Sequence, residues 1–281
     1  LLEMFHVPES ALPEIVPNFG HLAQTSAEHF LGISAPITGM AGDQQAALFG
    51  QAGFEVGDNK CTYGTGAFIL QNTGSKRVAS KHGLLTTIAW QTPDGSITYA
   101  LEGSVFVAGS AVQWLRDGLK IIDSAPAING LAESVDDSDG IVFVPALTGL
   151  GAPQWDPEAR GTIFGITRGT TKAHIARATL EALAFQVRGV VDAIVKDAGQ
   201  KIRSLRVDGG AAASNLLLQT QADCLGITVL RGENLAATGM GAAMLAGLGA
   251  GLTLIGAGLG IGKLAAGLVT AATGRKSNRA V

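Results

Sequence analysis

Cysteine is nearly absent from this 281-residue chain, which has only Cys61 and Cys224. They fit no zinc spacing and cannot build a disulfide framework, so a reducing cytoplasm is the expected location. Charge is also sparse. Only 15% of residues are charged while 47% are hydrophobic, which excludes a disordered or tail-like polypeptide. There is no basic excess: 20 Lys and Arg stand against 23 Asp and Glu, a net −3, so no nucleic-acid partner is expected. The five histidines, His6, His21, His29, His82 and His174, show no ligand spacing, and no protein-built metal site is expected. No leader pattern opens the chain and Leu1 stands where Met would, which reads as a piece of a longer polypeptide. Acidic residues stop at Glu233. Lys263, Arg275, Lys276 and Arg279 follow it, so the tail carries +4 while residues 1–233, with 16 cations against 23 anions, carry −7.

Residues 1–36 mix Pro8, Pro13, Pro17 and Pro36 with short polar and apolar pieces, which reads as a connector entering a domain. An organised core is expected from Ile37. Thr62–Gln71 and Ser96–Leu101 read as strands, with Pro93-Asp94-Gly95 as a hairpin turn, in a mixed or antiparallel sheet. Val105–Leu119 has helical spacing, and Ile141–Pro145 reads as a short buried strand. Over Lys172–Ala198 the residues Leu180, Leu183, Ala184, Val187, Val191, Ile194 and Val195 recur at three and four, and Gly199 is the stop. Then Leu205–Val207, the turn Asp208-Gly209-Gly210, Asn215–Cys224 and Thr228–Leu230 give strand, turn, helix and strand, an α/β unit.

Three glycine-bearing turns carry the candidate chemistry. Gly42-Asp43 leads into the apolar Ala46–Phe49, so Asp43 reads either as a helix N-cap or as a carboxylate facing a cleft, able to accept a hydroxyl proton. Gly64-Thr65-Gly66 reads as an anion nest or as a tight hairpin. Asp208-Gly209-Gly210, between a strand and a helix, lies where an α/β sheet receives a nucleotide, although it is neither the dinucleotide fingerprint nor a P-loop.

A longer set of motifs resembles the FGGY carbohydrate kinases, and within them the glycerol-phosphorylating members. It comprises Gly42–Gln51 (GDQQAALFGQ), Thr62–Gly66 (TYGTG), Gly83–Ala89 (GLLTTIA), Tyr99–Gly103 (YALEG), Gln113–Asp117 (QWLRD), Pro145–Pro157 (PALTGLGAPQWDP) and Arg206–Gly210 (RVDGG). These follow one another in uninterrupted order from about Pro36 to Ala246. The resemblance implies an α/β, actin-like (ribonuclease H-like) ATPase fold of two domains, of which this chain is the second. The expected division is a connector at 1–36, the kinase domain at 37–248 and an atypical tail at 249–281. The expected reaction moves the γ-phosphate of ATP to glycerol, with Mg²⁺ accompanying the nucleotide. Asp43 is implied as catalytic base, with Gln44 and Phe68 against glycerol. Gly64, Thr65, Gly109, Gln113, Gly209, Gly210 and Ser214 are implied on the nucleotide side, Ser214 replacing the family's usual Asn. Asp156 and Arg160 are expected to brace their loop as a charge pair, and Asp208 to orient the Gly209-Gly210 turn. The family's first domain supplies further glycerol and phosphate ligands, so little activity is expected of the isolated chain. A homo-oligomer is expected of the full-length protein. Xylulose or gluconate as substrate, or a nucleotide-binding module without catalysis, are the alternatives.

The tail departs from the family. Through Leu248 it follows the family's late helix, whose small residues are expected to approach the nucleotide loop. From Leu235 to Ile261 no residue is charged, which is long enough to span a bilayer, and Gly247/Gly251 and Gly258/Gly262 have the spacing of membrane helix contacts. An altered reading frame, a glycine-rich continuation of the helix and a membrane anchor all fit; half of the segment overlaps the kinase fold, so cytoplasm remains the expected location.

Overall fold

A computed structural model of the protein describes residues 1–233 and 235–251. Its centre is a six-stranded mixed sheet built from β3 (Asn59–Tyr63), β4 (Ala67–Gly74), β5 (Leu85–Gln91), β6 (Ile97–Val105), β9 (Ser204–Asp208) and β10 (Thr228–Arg231). The order across the sheet is β10-β9-β3-β4-β6-β5. β10, β9 and β3 run parallel, and β4, β6 and β5 continue antiparallel. Two small ladders flank it: β1 (Phe19–Gln24) with β2 (Pro36–Gly39), and β7 (Val142–Val144) with β8 (Thr162–Phe164).

Alternation along the strands assigns the two faces. Cys61, Tyr63, Ile69 and Leu101 belong to the larger core, under helix α4 (Lys172–Ala198) together with α2 (Gly109–Asp117), α3 (Ala127–Glu133) and α5 (Asn215–Leu225). Leu70 and Ala100 point the other way, as do Ala89 and Trp90 at an irregularity in β5, against Leu48 and Phe49 of α1 (Asp43–Gly50) and Leu245 of α6 (Ala237–Gly249). Each fully buried Leu, Ile or Val in these layers contributes roughly 1.5–3 kcal/mol of transfer free energy.

Helix α4 matches its sequence pattern at both ends. His174 Nδ1 accepts the Thr171 N–H at 3.1 Å, and Gly199, at φ +70°, closes the last turn with its N–H on Val195 O at 3.1 Å. The Pro93-Asp94-Gly95 hairpin joins β5 to β6. Three expectations change. Thr62–Gln71 is two strands, because Gly64-Thr65-Gly66 turns the chain back on itself. The helical reading of Val105–Leu119 shortens to Gly109–Asp117, since Val105 pairs with Ala67 as the last residue of β6. Residues 1–36 contribute a strand, β1, whose Ala23 and Gln24 pair with Ile37 and Pro36.

Helix α6 depends on the absence of side chains. A Cβ on Gly241 would lie 1.8 Å from Ala46 O, and one on Gly249 would lie 1.8 Å from Thr38 O. The small residues therefore bring α6 against α1 and β2, rather than against the glycine loop as expected. Contact with that loop comes just ahead of the helix, where Leu235 O accepts the Gly209 N–H at 3.2 Å. Among the described residues no helix is long and apolar enough to cross a membrane. The rest of the apolar tail, 252–281, including the Gly258/Gly262 pair, lies outside the described residues.

Candidate active site

The carboxyl ends of the parallel strands β3 and β9 lie side by side, and both lead into glycine turns. The Gly64–Gly66 turn is exposed at Gly64 and Thr65. Its carbonyls hold the start of α2: Gly64 O accepts the Gly109 N–H at 3.0 Å, and Thr65 O accepts the N–H groups of Ala108 and Ser110 at 2.9 and 3.1 Å. A Cβ on Gly109 would stand 2.6 Å from Gly64 O, so glycine is what permits this approach. Gln113 is exposed one turn further along α2. On the β9 side, Gly209 adopts φ +87°, and its missing Cβ would meet Tyr63 O at 2.4 Å. Gly210 follows, exposed and with open space around it. Five of the seven nucleotide-side candidates, Gly64, Thr65, Gly109, Gly209 and Gly210, thus gather around the end of β3, with Gln113 on the same helix as Gly109.

Ser214 stands apart. It is buried, and its Oγ accepts the Leu217 N–H at 3.2 Å as the N-cap of α5. The Asp156–Arg160 charge pair does not form. Asp156 Oδ1 accepts the N–H groups of Glu158 and Ala159 at 2.9 and 3.1 Å, while Arg160 donates to Pro157 O and Ala159 O and pairs with Glu158. Each braces the loop separately. Asp208, 1% exposed, accepts from Gln51 Nε2 of the segment after α1 at 3.0 Å.

The substrate-side candidates lie on the α1 face of the same sheet end. Asp43 is the first residue of α1 and Gly42 holds the capping position, so Asp43 is not the N-cap. Its carboxylate is exposed, Oδ1 accepting the Gln44 N–H at 2.9 Å and Oδ2 accepting Gln44 Nε2–H at 3.0 Å. Phe68, half-buried, pairs with Thr62 across the β3–β4 ladder.

A residue that sequence reasoning missed links these groups. Lys60 of β3 is fully buried, and its Nζ donates to Gln44 Oε1, to Thr62 Oγ1 at 3.0 Å and to Phe68 O at 3.3 Å. Burial pushes its ammonium down to about 8, against the opposing pull of Asp208, Cys61, Glu102 and Asp43. Burial likewise raises the Glu102 carboxyl, which Lys60 partly counteracts. The available signal was a lone Lys inside the buried run Asn59–Tyr63, just ahead of the glycine turn.

Among the described residues no group of three or more His, Cys, Asp or Glu gathers as a metal cage.

A mixed sheet with helices on both faces and exposed glycine turns at the ends of its parallel strands has the architecture of an actin-like ATPase fold. Residues 59–250 match the model of the FGGY family of carbohydrate kinases, C-terminal domain, and the chain belongs to that family. It is 58% identical over 252 residues to the glycerol kinase of Bdellovibrio bacteriovorus, covering 90% of this chain and 51% of that protein. The crystal structure of Plasmodium falciparum glycerol kinase with ADP superposes with a TM-score of 0.83 at 38% identity, covering 95% of this chain and 52% of that one. A xylulose kinase from Rhodospirillum rubrum is more distant, with a TM-score of 0.71 and 28% identity over 89% of this chain and 51% of that one. The chain thus spans about half the length of the relatives it matches.

Proposed function

We propose that this chain is the nucleotide-side half of a glycerol kinase, a cytoplasmic enzyme that moves the γ-phosphate of ATP to a terminal hydroxyl of glycerol. Asp43 accepts the hydroxyl proton as the glycerol oxygen bonds to the γ-phosphorus. The bond from that phosphorus to the β,γ-bridging oxygen breaks, and ADP leaves. Gln44 and Phe68 hold glycerol. The turns at Gly64-Thr65 and Gly209-Gly210, with Gly109 and Gln113 of α2, receive the nucleotide. Mg²⁺ bound with the phosphates neutralises charge that builds up during transfer.

The carrying observation is that Asp43, an exposed carboxylate with both oxygens held, is linked through Gln44 and Lys60 to Thr62 of β3, just ahead of the Gly64–Gly66 turn. Among solved structures the 38% identity to a glycerol kinase, against 28% to a xylulose kinase, favours glycerol as acceptor. The test is ADP formation by the polypeptide its gene encodes, supplied with MgATP and glycerol, xylulose or gluconate. Glycerol should be preferred, and Asp43→Asn should lower turnover by about 10²–10⁴-fold, the usual contribution of a positioned base. Preference for another acceptor, or undiminished turnover by the variant, would overturn the reading.

A further inference from the structure

We propose that Lys60 is a positioning residue for phosphoryl transfer, its buried Nζ clamping the Gln44 carboxamide so that the amide N–H is aimed at the Asp43 carboxylate. This rests on the glycerol kinase reading, in which Asp43 is the base and Gln44 a substrate ligand.

Hydrogen-bond polarity fixes the orientation of the Gln44 amide. An ammonium can only donate and an ionised carboxylate can only accept, whereas a carboxamide has one accepting end and one donating end. Lys60 Nζ holds Gln44 Oε1, and Gln44 Nε2 donates to Asp43 Oδ2 at 3.0 Å. Turning the amide over would set N–H against ammonium and carbonyl oxygen against carboxylate, so both ends select one orientation. Asp43 Oδ1 is held by the Gln44 backbone N–H at 2.9 Å, which fixes the plane of the carboxylate. The remaining ammonium protons reach Thr62 Oγ1 and Phe68 O, so the lysine is itself locked. The groups facing it are Asp208 from β9, Glu102 from β6, Asp43 from α1 and Cys61 from its own strand.

A buried cation is a costly way to fill space, and an apolar side chain of similar length would pack there without the desolvation penalty. Departures from local preference of this kind concentrate at functional sites. The lysine joins two flanks of the site: it is anchored on the β3–β4 hairpin that carries the Gly64–Gly66 turn, and it ends at the helix that carries the base.

Lys60→Met and Lys60→Arg test the role in the polypeptide its gene encodes. Lys60→Met should lower kcat for glycerol-dependent ADP formation by ~10–100-fold while the KM for ATP stays within about twofold, as expected for a misplaced catalytic group. Lys60→Arg keeps the charge and donors and should recover part of the loss. Wild-type kcat should also fall above about pH 8, where the Lys60 ammonium discharges, and this limb should vanish in Lys60→Arg because guanidinium stays charged. A merely structural lysine would lower melting temperature without moving the pH profile.

Should Lys60→Met fail to fold, the side-chain amide resonances of Gln44 in the wild type give an independent reading. They should shift with a midpoint near the Lys60 value of about 8. Full turnover by Lys60→Met, or Gln44 amides that ignore this titration, overturns the inference alone. Absence of glycerol-dependent turnover by the wild-type enzyme with both of its halves present overturns the kinase reading beneath it.

Discussion

Gly209→Ala is the substitution whose effect the geometry constrains most tightly. The residue sits at φ +87° and ψ 170°, a backbone region essentially reserved for glycine, which costs any other residue about 1–3 kcal/mol. Its added methyl would also stand 2.4, 2.8 and 2.9 Å from the O, C and N atoms of Tyr63, all backbone in a central strand that cannot rotate away. Overpacking of that kind adds about 1–3 kcal/mol. The sum, about 2–6 kcal/mol, is a large part of a typical domain stability of about 5–15 kcal/mol. At roughly 2–4 °C per kcal/mol for a chain of this size, the melting temperature should fall on the order of 10 °C. Circular dichroism melts of the variant, with Gly210→Ala as control, measure it. Gly210 has open space around its missing Cβ and no positive φ, so its replacement should leave the melting temperature within about 1 °C, as a surface change does. A Gly209→Ala variant that melts with the wild type, or an equal loss in both variants, would contradict this role of Gly209.

Gly241→Ala would press a methyl to 1.8 Å from Ala46 O, so α6 must lift from α1; a thermal melt should show a loss of about 3 kcal/mol or more. Ser214→Ala removes the α5 cap and should cost about 1 kcal/mol in denaturant unfolding. ADP affinity measured on that folded variant should not change, and a selective loss of affinity would return Ser214 to the nucleotide side. Burial raises the Asp197 carboxyl, but hydrogen bonds from Ser80, the Lys81 N–H and His82 outweigh it and hold the group below its ordinary value. Because the folded value is the lower one, its stabilisation is present above about pH 4 and lost as pH falls through the folded value. Asp197→Asn should therefore cost about 2 kcal/mol at neutral pH and flatten the acid limb of a stability–pH curve.

Helix α4 was legible because 27 residues repeat one apolar face and end on a left-handed glycine, a signal that tertiary context had no reason to override. The α/β unit through Gly209 was legible for the same local reasons. The break at Gly64-Thr65-Gly66 was legible only as one of two readings, a tight hairpin or an anion nest. Thr62–Gln71 is rich in strand formers on both sides of it, and only the pairing of Tyr63 with Ala67 makes the three residues a loop. Val105 was misplaced because it ends β6 only four residues before α2 begins, and a short apolar run fits either period. In the site, Asp43, Gln44 and the glycine turns were visible as motifs. The Lys60 network was not, since its acceptors lie 16, 2 and 8 residues away and meet only when α1 packs on the β3–β4 hairpin. Ser214 illustrates the converse: a motif position whose side chain is already committed to its own helix.

The central claim, that the glycine turns receive a nucleotide while Asp43 serves the acceptor side, is tested most directly by calorimetric titration of MgADP into the wild type and Asp43→Ala. Binding of similar affinity in both is the predicted result. No binding by the wild type, or binding abolished by Asp43→Ala, would contradict the division of the site described above.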